Sequence, residues 1–159
     1  MLTLRIWLPS PFDTRKIGFA SIEVDGGAGG AYMSVRPIKQ DHGSHMPPRT
    51  AKLADDTEAE GADNVPRAWR FERMKEFRVL RLWDQFKGLA AKGFHDDATR
   101  NAFHFCDMLL IAGQDIDIDP FSPASFTTHA RSGTIMSTLA TNASILSAHA
   151  NEYLKVRHW

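Results

Sequence analysis

Residues 101–113, Asn-Ala-Phe-His-Phe-Cys-Asp-Met-Leu-Leu-Ile-Ala-Gly, constrain this chain more than any other stretch. The run is apolar almost all round. Its polar residues Asn101, His104 and Asp107, with Asp97 and Arg100 before them, fall on one narrow stripe at three- and four-residue spacing. That pattern predicts a helix that is mostly buried and wet along one edge. Asp97 or Thr99 can cap its start, and Gly113 offers a left-handed stop. Such a helix needs a core around it, and 159 residues at 43% hydrophobic content suffice for one domain spanning residues 1–159. Its first turn, around Asn101-Ala102, is where a helical nucleophile would sit, because a helix N-terminus favours an anion such as a thiolate. Alanine occupies that place.

Charge narrows the partners. Lys plus Arg and Asp plus Glu are both 19, so the net charge is zero and gives no long-range pull toward nucleic acid or an anionic membrane. No apolar run approaches the ~20 residues of a bilayer span. One cysteine excludes an internal disulfide and a cysteine-rich zinc site. Arg5, Pro9 and Pro11 interrupt any cleavable signal pattern at the start. The expected location is the cytoplasm, or outside the cell by a route without a classical signal peptide.

Ahead of the helix the period is two. Leu2, Leu4, Ile6 and Leu8 alternate with Thr3, Arg5 and Trp7, which predicts a half-buried strand. Residues 17–24 read as a second strand, with Ile22 and Val24 on one face and Phe19, Ser21 and Glu23 on the other. The glycine-rich turn at 25–30 is no phosphate loop, since no Gly-Lys-Ser/Thr follows; it leads into a third strand at 31–36, paired as a hairpin. Across 38–68 the apolar signal fades into prolines and the acidic run 55–60, which predicts a long, exposed loop. The alternation of Phe77, Val79 and Arg81 with Arg78, Leu80 and Leu82 predicts a strand, with a helix running through from Trp69 as the alternative. A short amphipathic helix follows at 83–92, with Trp83, Phe86, Leu89 and Ala90 inward and Gly93 closing it. Beyond the central helix come a short extended segment at 114–120, a helix opened by Ser122-Pro123, and a C-terminal helix over 134–156. The fold class is α+β: a small antiparallel sheet packed on a central buried helix.

Gly18-Phe19-Ala20-Ser21-Ile22-Glu23-Val24, followed by Tyr32-Met33-Ser34-Val35-Arg36-Pro37, resembles the circularly permuted papain-like hydrolases of the NlpC type, in a branch of bacterial secreted effectors. That branch reads Gly-His-Ala-Ser at an early strand, then Tyr-Ile-Ser and Trp-Pro, and later Asn-Cys-Ser opening a helix that ends in Ala-Gly-Gly. Asn101-Ala102-Phe103 and Ala112-Gly113-Gln114 stand at the matching places, and Pro120 and Pro123 resemble that family's tail. The resemblance covers about residues 2–130 and implies a permuted papain-like fold. It puts Ala102 at the cysteine position, Phe19 at the histidine position, and Ser34 facing the cleft as a polar orienter. Alanine carries no nucleophile and phenylalanine takes no proton, so the chain as written lacks the parts of that chemistry.

Other polar candidates read as structural. Cys106 is the only thiol; it could be a displaced nucleophile with His104 or His95 as base, but one turn inside a buried helix the preferred reading is a small apolar packing residue. His104 and Cys106 are two apart on a helix and point away from each other, while His104 and Asp107 at three apart form an edge pair. His42, His45, His95 with Asp96 and Asp97, and His158 show no metal-ligand spacing, so neither metal nor cofactor is expected. Arg70, Arg73, Arg78 and Arg81 interleave with Glu72, Glu76 and Asp84, which weakens a nucleic-acid reading.

The functional expectation is a catalytically degenerate papain-like domain of effector or toxin-like lineage that binds a protein or peptide-like ligand, with a cognate immunity or adaptor protein as a further partner. The alternatives are a cysteine peptidase or amidase, acting on peptide or peptidoglycan, held in a Cys-to-Ala form, and an unrelated binding or immunity-type module.

Overall fold

The computed structural model describes residues 1–10, 12, 18–25, 29–34, 52–90, 102–114 and 135–155. Four strands, β1 (Leu2–Trp7), β2 (Phe19–Val24), β3 (Ala31–Ser34) and β4 (Arg67–Phe71), form one antiparallel sheet in the order β3-β2-β1-β4. Four helices accompany it: α1 (Leu53–Glu60), α2 (Glu76–Ala90), α3 (Ala102–Gly113) and α4 (Ile135–Lys155). The α+β class expected from the sequence is what the chain adopts. Among the described residues no helix is long and apolar enough to cross a membrane.

Register sorts the side chains onto two faces. Leu2, Leu4 and Ile6 lie opposite Val24, Ile22 and Ala20, and Ile22 opposite Met33, so these residues share one face. α3 packs on it through Phe105, Cys106, Leu109 and Leu110, all at most 1% exposed. α2 packs against α3, where Phe86 meets Phe105 at 4.5 Å and Trp83 meets Phe105 at 5.5 Å between ring centroids. α4 closes the core with Ala143, Leu146 and Ala150.

The other face carries Thr3, Arg5 and Trp7 beside Glu23, Ser21 and Phe19, with Tyr32 and Ser34 across β2. Here the half-buried reading of β1 fails. Thr3 and Trp7 are buried along with the leucines, and α1 lies against part of this face: Leu53 packs on the Trp7–Phe19 cluster, and Asp56 meets Tyr32.

Three further expectations are corrected. The 38–68 loop contains α1, and β4 begins at its end; residues 35–51 lie outside the described set. β4 pairs with β1 although its own burial is slight, since the pairing partner supplies the stability. Residues 77–82 are helix, not strand. Val79, Leu82, Trp83 and Phe86 are buried at helical spacing while Phe77 is exposed, and that longer stripe overrides six residues of alternation. Gly113 ends α3 without a left-handed turn. A β-carbon there would lie 3.0 Å from Met74 Sδ and 3.1 Å from Val79 Cγ2, so close packing explains the glycine. The expected elements at 114–120 and 122–130 fall outside the described residues apart from Gln114.

Candidate functional site

Phe19 opens β2, and Ala102 is the first residue of α3. The two belong to one small buried cluster with Trp7, separate from the main core, and Leu53 of α1 packs against it. Phe19 is 4% and Ala102 6% exposed. The tilted ring pair of Phe19 and Trp7, 5.9 Å between centroids, fills the space beside the helix start. Local backbone sets this up. Gly18 holds φ +84°, and a β-carbon on it would fall 2.7 Å from the Pro9 ring, so only glycine lets the chain enter β2 at this angle. Neither Ala102 nor Phe19 carries a nucleophile or a proton acceptor. The start of α3 is an apolar junction between the strand that bears Phe19 and the helix that bears Ala102.

Next to this junction the same sheet face turns polar. Ser21 and Ser34 stand directly opposite each other, both fully buried. Tyr32 Oη lies 2.7 Å from Asp56 Oδ2 and 2.8 Å from Ser21 Oγ. A phenol has one proton; the carboxylate can only accept, so Tyr32 donates to Asp56 and Ser21 donates to Tyr32. Burial pushes the Tyr32 phenol far up, and repulsion from Asp56 adds to that against the opposing Ser21 hydrogen bond. Arg5 pairs with Glu23 at 2.7 Å through Nη2. Ser34 Oγ, Trp7 Nε1 and Arg5 Nη1 are buried without a hydrogen-bond partner among the described residues. Such atoms each cost about 1–3 kcal/mol when left unmatched. Ser34, the expected orienter, thus faces the same side of the sheet as Phe19.

Sequence reasoning missed Leu53 and Asp56. Both sit in a helix whose inward residues are mostly polar, so no apolar period announces it. The one available signal was Leu53 three positions before Asp56, which places both on one helical face.

Cys106 is fully buried, and burial pushes its thiol well up, with Asp107 and Asp56 adding repulsion. It is a packing residue. Asp107 reaches α4, where His149 Nδ1 lies 3.0 Å from its Oδ1. Among the described residues no group of three or more His, Cys, Asp or Glu could hold a metal ion; His42, His45, His95 and His158 lie outside that set. Neither a protein-family model, nor a curated protein, nor a solved structure matches the chain.

Proposed function

We propose that this chain is a catalytically silent papain-like domain that works by binding a protein or peptide-like ligand. One observation carries the reading. The two positions that the resemblance gives to base and nucleophile, Phe19 and Ala102, lie far apart in sequence yet share one buried cluster at a strand start and a helix N-terminus. Two unrelated positions in a 159-residue chain have little reason to meet there. The fit of Phe19 against Trp7 favours this over an amidase captured by a single Cys-to-Ala change, which would leave a base in place and need no aromatic partner.

The test restores the pair. In a Phe19→His/Ala102→Cys variant the thiol at 102 gains an imidazole neighbour and a helix N-terminus, both of which favour thiolate. Its alkylation by iodoacetamide is expected to show a pH midpoint roughly one to two units below that of Ala102→Cys alone. Cys106 does not interfere, being buried. Identical midpoints in the two variants would sink the papain-like reading.

A further inference from the structure

We infer that the polar face of the sheet is a peptide-docking surface and that α1 is its resident, displaceable occupant, so that the external partner is an acidic segment with an aliphatic residue three positions before an aspartate. This rests on the binding role proposed above and names the ligand chemistry.

Three observations lead there. First, α1 is a poor core helix. It has eight residues, below the length at which a helix holds itself together. The residues it buries are Asp56 and Glu60, with Leu53 only partly covered. Its N-cap is Lys52, whose amide is held by Asp55 Oδ2 at 2.9 Å, and it ends at Gly61 with φ +89°. Second, its contacts include the kind a bound peptide makes: an aliphatic side chain packed on the Trp7–Phe19–Ala102 cluster and a carboxylate on the Tyr32 phenol. Third, the match is incomplete. Trp7 Nε1 and Ser34 Oγ, both on fully buried residues, and Arg5 Nη1, all on this face, have no hydrogen-bond partner among the described residues. A face rich in unmatched N–H and O–H donors suits a segment richer in acceptors than α1, such as one bringing main-chain carbonyls or a further carboxylate. The Arg5 guanidinium on the same face is held by Glu23 through Nη2, and its unmatched Nη1 is a charged donor that a carboxylate or carbonyl would satisfy.

The probe is a fluorescent synthetic peptide with the sequence of residues 52–61, titrated against the full chain. In the wild type the resident helix competes at the high effective concentration of a tethered ligand. In a Leu53→Arg/Asp56→Lys variant that competition is removed. The variant should bind the peptide at least tenfold more tightly than the wild type, and a peptide carrying the same two changes should not bind. A variant that keeps amide protection in α3 yet binds no better than wild type would overturn the inference. If the variant loses protection in α3, hydrogen exchange on the wild type decides. Exchange of α1 amides through openings that leave α3 protected supports a displaceable helix, and exchange of α1 only together with α3 rejects it. The thiol test above reads a different property. A depressed thiol midpoint with no peptide binding removes only this inference, and peptide binding with an ordinary midpoint removes only the papain-like ancestry.

Discussion

Gly18 shows how much one residue controls. Its φ of +84° and the Pro9 ring 2.7 Å from any β-carbon fix how the chain enters β2, and the next residue is Phe19. Gly18→Ala is therefore expected to destabilise the fold by about 1–3 kcal/mol, from left-handed strain plus a clash with a ring that cannot flex away. Urea unfolding measures this, and an unchanged midpoint would mean the entry to β2 is looser than described. The glycine was readable in the sequence as part of the Gly-x-Ala-Ser resemblance. Its reason was not, because Pro9 lies nine residues away and meets it only once β1 and β2 are paired.

Among the elements, α3 was the most legible, because burial on nearly every side leaves an apolar run that no other structure explains. Cys106 reports on it. The thiol is fully buried and its pKa is raised by that burial, so a disulfide reagent such as DTNB should leave it untouched in the native protein and label one thiol per chain after unfolding. Fast labelling under native conditions would contradict a buried α3. At the other extreme, α1 and β4 were invisible. α1 turns carboxylates inward, and β4 is mostly exposed, so neither carries an apolar period. The strand reading of 77–82 failed for a related reason. Six residues alternate by chance, whereas the stripe Val79, Leu82, Trp83 and Phe86 needs the α3 aromatics opposite it to count.

At the scale of the whole molecule, both tyrosines of the chain report on folding. Tyr32 is pushed far up by burial and then by Asp56, and Tyr153 is pushed up to about 12 by burial, with Asp107 and Glu152 adding repulsion. Each folded-state value lies above the ordinary phenol value of about 10, so folding favours the neutral form. The stability this contributes is complete below pH 10 and falls as pH rises from there through the folded values, because the unfolded chain loses those protons first. Absorbance at 295 nm should show no tyrosinate step near pH 10 in the native protein and a step for both residues there in denaturant. A native step at pH 10 would place at least one phenol in water.

By itself the sequence determined the parts whose burial is periodic along the chain: β1, the β2–β3 hairpin, the inward face of α2 from Trp83, and α3. Each carries its own apolar code, because a segment that buries one face must repeat hydrophobic residues at its own spacing. Only the tertiary structure decided that β1 is buried on both faces, that Phe19 and Ala102 share a cluster, and that an acidic helix lies over a polar patch of sheet. Those outcomes depend on which residues meet across strands and between distant segments. A carboxylate such as Asp56 goes inward only when the fold has set a phenol there to receive it.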